Sequence, residues 1–221
     1  TAPKIAHMWH MPGHIYSKLK RYHDAVWNQQ ASARVDHAHM AKHFLIPDQI
    51  HNYAHNNEWL SRNFAHLGDA PAAVAMAKSL LANPRHPKLN TLEGRSHSYK
   101  YGRNNLLKTL EKFELWEEVY DLSDTQWLEA LPKQPIHDRA RLRLIGVANF
   151  HLGHRVELMQ IINQIEGLLD DEKTKKQADE DKAKEKATKE KKKEGEIKKA
   201  VEAAGKKYKR LIGSLEKDRT E

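Results

Sequence analysis

Leu67-Gly68-Asp69-Ala70-Pro71-Ala72-Ala73-Val74 reads as a turn joining two helices. A hydrophobe closes the first helix, Gly makes the turn, and the small residues after it let the second helix pack closely. Pro71 suits the first turn of that second helix, where no intrahelical N–H bond is lost. The arrangement recurs in weaker form at Leu19-Lys20-Arg21-Tyr22-His23-Asp24-Ala25-Val26, at Phe113-Glu114-Leu115-Trp116-Glu117-Glu118-Val119 and at Leu152-Gly153-His154-Arg155-Val156-Glu157-Leu158. Each copy follows one helical apolar run and precedes another. The turn positions are Lys20, Gly68, Glu114 and Gly153.

Composition agrees with an all-α chain. The 221 residues include only 10 Gly and 8 Pro, too few for an all-β protein rich in turns. Sustained apolar/polar alternation is absent, whereas Ala, Leu, Lys, Glu and Gln abound. No run of 18 apolar residues occurs, so no membrane-spanning helix is expected. Cysteine is absent, which excludes disulfides, thiolate catalysis and cysteine-ligated metals.

The four motifs resemble tetratricopeptide repeats, a family of stacked helix-turn-helix units. Trp59, Phe64, Gly68, Ala73 and Pro84 fall near that family's pattern positions. The spacings between turns, 48, 46 and 39 residues, exceed the usual period of about 34, so helices or connectors must be longer than standard. Connectors are expected from Asn83 to Ser98 and around Pro132 and Pro135. The words His10-Met11-Pro12-Gly13-His14-Ile15-Tyr16 and His51-Asn52-Tyr53-Ala54-His55-Asn56-Asn57 are similar to segments of large bacterial tetratricopeptide proteins, some of which carry a redoxin domain. Redoxin activity is not carried over, since no cysteine pair is present. The resemblance covers roughly residues 7 to 165 and implies a helical-repeat domain, taken as residues 1–169.

After Leu169 the character changes. Of the 52 residues from Asp170 to Glu221, 18 are Lys or Arg and 14 are Asp or Glu. Mixed signs at three- and four-residue spacing favour solvated, ion-paired helix faces. Ile197, Val201, Ala204, Tyr208, Leu211 and Leu215 form a heptad-like stripe whose natural mate is Ile161, Ile162, Ile165, Leu168 and Leu169. Residues 170–221 therefore read as a charged helical hairpin turning at Glu194-Gly195, or as a partly disordered tail. The net charge of +8 divides evenly between this segment and the rest, which argues against nucleic-acid binding.

Histidine is the compositional anomaly: 15 are present, ten of them between His7 and His66. His10/His14, His39/His43 and His51/His55 are spaced i, i+4, which on a helix puts both rings on one face. Pro12-Gly13 is expected to interrupt the first pair. On adjacent repeats His14, His51 and His55 converge, with Asp36 or Glu58 as an oxygen ligand for a divalent metal such as Zn or Cu. The alternative is a buried polar network involving His55 and Asn56 that fixes helix register.

No Gly-rich phosphate loop, His-Glu-x-x-His motif or Gly-x-Ser-x-Gly elbow occurs, so no enzyme activity and no cofactor are expected. The expected function is a protein–protein interaction scaffold, its concave groove holding a protein partner through His14, Tyr16, Asn52, His55, Asn56 and Trp59. The alternative function is a histidine-based metal-binding protein or redox-enzyme accessory.

Overall fold

The computed structural model describes residues 4–93 and 97–220, with the backbone alone at His51. Among the described residues there are nine α-helices and two short 3₁₀ turns, and no strand. The helices are α1 (Ala6–Lys18), α2 (Tyr22–His43), α3 (His51–Leu67), α4 (Ala70–Ala82), α5 (Ser98–Lys112), α6 (Trp116–Leu122), α7 (Pro135–Leu152), α8 (Arg155–Lys189) and α9 (Glu194–Thr220).

The four turns anticipated from the sequence share one local geometry. Lys20, Gly68, Glu114 and Gly153 all adopt positive φ, at 58°, 84°, 53° and 74°. The next amide in each case donates to the carbonyl five residues back: Arg21 to Tyr16, Asp69 to Phe64, Leu115 to Leu110, and His154 to Asn149. A left-handed residue closed by such a bond is a common way to end a helix, because it satisfies carbonyls the helix leaves open. Asp69 then caps α4, accepting from the Ala72 amide at 3.0 Å. In the first three turns the fifth residue on is fully buried: Ala25, Ala73 and Val119.

The chain divides into two compact units, residues 1–129 and 130–221. In the first, each of α1 to α5 packs on its successor, and α5 contacts α6. Helix α3 also touches both α1 and α5, so these three share a layer. Close approach of α5 to α4 depends on Gly102, where an added Cβ would lie 2.8 Å from the Ala77 carbonyl oxygen.

In the second unit, α8 runs unbroken through position 169, so the charged segment begins as the continuation of a helix that starts at Arg155. Helix α9 returns along it antiparallel. Lys173 pairs with Glu216 at 2.9 Å, and Asp179 accepts from the Tyr208 hydroxyl and pairs with Lys207, both at 2.8 Å. Ile165 and Leu169 on α8 and Leu211 and Leu215 on α9 are buried. The reversal differs from the sequence expectation. Lys191, with φ 54°, makes the turn, and Gly195 lies inside α9. The register of the buried stripe fixes where the chain must fold back, and Glu194-Gly195 falls just past that point.

Candidate functional site

Helix α1 is continuous from Ala6 to Lys18 with Pro12 inside it, which corrects the expected break. Proline already holds a helical φ and forfeits one intrahelical bond; the packing of α1 on α2 outweighs that loss. His10 and His14 therefore do sit one above the other on the inner side. Gly13 lies between them against α2, where an added Cβ would come within 2.6 Å of Gln29 Nε2. The missing side chain admits Gln29, itself fully buried, alongside His10.

His10 is the centre of the cluster. Its Nδ1 lies 3.2 Å from Gln29 Oε1 and 3.0 Å from Asn56 Oδ1. The Asn56 amide is oriented by its own nitrogen, which donates to the Gln29 backbone carbonyl at 2.7 Å. Oxygen thus faces His10, and an imidazole nitrogen facing acceptors must carry the proton. The Nε2 of His10 is then a bare lone pair. His14 Nε2, 2.7 Å away, donates to it. The His55 ring lies 5.2 Å from that of His10 and 5.3 Å from that of His14, centroid to centroid. One ring nitrogen from each of the three falls within 4.8 Å of the others, the one such convergence of ligating side chains found among the described residues.

Around this nest the residues are aromatic and charged. Trp59 meets His14 edge-on at 4.3 Å and carries the Arg62 guanidinium over its face at 4.5 Å. Glu58 pairs with Arg62 at 3.2 Å and lies 3.9 Å from His55 Nδ1. Burial, reinforced by the neighbouring His10 and His55, lowers the pKa of His14 to about 4. Burial raises Glu58 and Asp36 above the usual carboxylate range, with Arg62 opposing the shift at Glu58 and His10 opposing it at Asp36.

The structure brings His14, His55, Asn56 and Trp59 together, but not in equivalent roles. Asn56 is fully buried and holds His10 rather than lining a groove. Asn52 lies one turn earlier on α3, 3.2 Å from His7 Nδ1. Tyr16 sits under the Arg21 guanidinium, 4.7 Å from its ring centroid, and is not among the cluster's ring contacts. Asp36 lies outside the three-nitrogen group, though close enough to His10 for their charges to interact. The His51 side chain falls outside the described residues. His10 and Gln29 were not selected from sequence; the i, i+4 spacing to His14 was the available signal for His10, whereas nothing local marks Gln29.

Two surfaces flank the cluster. Between α3 and α5 lies a cavity of about 380 Å³ whose lining includes Glu58, Arg62, Asn105, Lys108 and Lys112. Met8, Met11 and Ile15 on α1 and Leu19, which caps it, recur at helical spacing and are between 46% and 62% exposed. At 100° per residue these four span less than a quarter turn, opposite the buried Ala6, His10 and Gly13. No helix among the described residues is long and apolar enough to cross a membrane. Compared with protein-family models, with curated proteins and with solved structures, the chain matches none.

Proposed function

We propose that the chain is a tetratricopeptide-like interaction module that docks a helical segment of a protein partner. The repeat reading is supported by the common geometry of the four helix-pair turns and by the shared layer of α1, α3 and α5. The observation that carries the interaction reading is the uncovered apolar face of α1. Four large aliphatic side chains in one stripe are a poor solvent surface and a good helix-packing surface, since i, i+3 and i, i+4 rows are what a second helix packs against. A partner helix with its own apolar stripe fits that face by the same physics that packs α1 on α2. The α3–α5 cavity, with Arg62, Lys108 and Lys112 beside it, supplies polar contacts for an acidic flank of the partner.

The test is photo-crosslinking from an unnatural residue at Met8, in the otherwise unchanged chain and in the same chain carrying Met11→Glu/Ile15→Glu. The reading predicts a discrete crosslinked protein in the native extract, lost in the double variant while its helical melt is unchanged. Identical crosslinks with and without the two glutamates would overturn it. Sedimentation of the purified chain distinguishes a second copy of this protein from a foreign partner.

A further inference from the structure

We infer that His10, His14 and His55 form a binding site for one divalent transition-metal ion of the zinc or copper type. This goes beyond the interaction reading and uses the opposite side of α1 from the apolar stripe.

Geometry is the first support. Three imidazole nitrogens from two helices converge within 4.8 Å. Zn–N bonds of about 2.0–2.1 Å at tetrahedral angles place ligand nitrogens about 3.3 Å apart. His10 and His14 are slightly inside that separation, at 2.7 Å. His55 is part-exposed and can close the remaining gap by side-chain rotation alone.

The protonation pattern is the second. A metal-ligating histidine usually donates its other ring N–H to a carbonyl or carboxylate, which fixes the tautomer and aims the lone pair. His10 has this arrangement: Nδ1–H is held between Gln29 Oε1 and Asn56 Oδ1, and Nε2 points at the cluster. In the metal-free chain that lone pair accepts a hydrogen bond from His14 Nε2–H. On binding, His14 shifts its proton to Nδ1 and ligates through Nε2, so no proton need leave the site. Glu58 Oε2 lies 3.9 Å from His55 Nδ1, beyond hydrogen-bond reach but within ion-pair distance.

Charge is the third and independent support. Asp36 is buried, and its Oδ2 has no hydrogen-bond partner. A buried carboxylate without compensation is costly. A dication at the neighbouring His10 would supply the missing positive charge. The donor set decides the class of ion: three imidazoles with no thiolate and no direct carboxylate suit zinc or copper, not calcium or magnesium. Since His14 and His55 are only part-buried, the fourth coordination position is open to water.

The experiment is calorimetric titration of the full chain with Zn²⁺ and with Cu²⁺, joined to visible absorption of the Co²⁺ form. The expected result is one ion per chain, an intense tetrahedral Co²⁺ spectrum, and at least a tenfold loss of affinity in His14→Gln and in His55→Gln. Both positions are part-exposed, so these variants fold even if His10→Gln does not, which circular dichroism checks. His39 and His43, whose rings lie 4.5 Å apart on the exposed side of α2, are the competing two-ligand chelate. His39→Gln/His43→Gln should leave affinity unchanged. The inference is overturned if no stoichiometric binding occurs, if binding vanishes in that double variant, or if His14→Gln and His55→Gln bind as tightly as the parent. Met11→Glu/Ile15→Glu should retain the ion, which keeps this test separate from that of the partner surface.

Discussion

Asn56 presents its side-chain oxygen to His10 Nδ1 at 3.0 Å while its nitrogen is engaged by the Gln29 backbone carbonyl. The amide cannot turn over without setting its nitrogen against the protonated His10 Nδ1 and its oxygen against the Gln29 carbonyl. One buried asparagine on α3 thereby dictates which nitrogen of a histidine on α1 is protonated. Long-range nitrogen–proton correlation spectra at neutral pH should show His10 as the Nδ1–H tautomer. Asn56→Leu keeps the volume but strips His10 of one of its two acceptors and the Gln29 carbonyl of its donor. It should cost about 1–3 kcal/mol in urea unfolding. A mixed or Nε2–H tautomer in the parent protein would refute this account of the network.

Protonation of His14 works against the fold. Its folded pKa is held at about 4, against 6.5 when solvated, so the unfolded chain takes up the proton first. The stabilisation is complete above pH 6.5 and is lost as pH falls from there toward 4. Glu58 and Asp36 act in the opposite sense, because their raised folded pKa values favour the fold in acid. Thermal melts between pH 7.5 and 4.5 should therefore show a declining midpoint, and His14→Gln should flatten part of the decline. An unchanged slope in that variant would remove His14 from the explanation.

The four equivalent turns make a paired prediction. Lys20 and Glu114 hold left-handed backbone with a Cβ, a conformation that costs about 1–2 kcal/mol for an ordinary residue. Lys20→Gly and Glu114→Gly should each raise stability by about 1 kcal/mol. Gly68→Ala and Gly153→Ala should lower it by a similar amount, although an added Cβ meets nothing within 4 Å at either site. Urea midpoints of the four variants test this together, and a loss in both glycine-gain variants would contradict it.

In the second unit Asp218 is the buried anchor between α7 and α9. Its side chain is 1% exposed, accepts from Arg139 Nη2 at 2.7 Å, and has Arg143 Nε at 3.9 Å. Arg139 is 26% exposed, so only the carboxylate side of the pair is buried. Removing that charge leaves Arg139 with solvent access and should cost about 1–3 kcal/mol, whereas replacing both partners by apolar groups is milder. Asp218→Asn should therefore destabilise the α7–α9 unit more than Asp218→Leu/Arg139→Met does. Hydrogen exchange resolved by segment would show the loss confined to residues 130–221, and equal losses in the two variants would argue against the carboxylate's burial.

Much of this architecture is legible in local sequence. Lys20 and Glu114 read as turns despite lacking glycine, because the hydrophobic run before each and the small or apolar residue five places on carry the same signal as at Gly68. The hairpin stripe from Ile197 to Leu215 was legible for the same reason: helical period is a local property. Pro12 and Gly195 misled. A proline interrupts a helix only if the lost bond is not repaid by packing, and a glycine turns a hairpin only if the register of the buried stripe places it there.

The sequence by itself determined the all-helical character, the left-handed turns at Lys20, Gly68, Glu114 and Gly153 and the histidine-rich character of the first two helix pairs, since each follows from residues within a few positions of one another. The tertiary structure alone decided that His10 rather than Asp36 joins His14 and His55, that Asn56 and Gln29 set the tautomer, and that the apolar side of α1 is left uncovered. Those outcomes depend on side chains 19 to 46 residues apart meeting at particular distances, and such distances are set by how helices pack rather than by which residues form them.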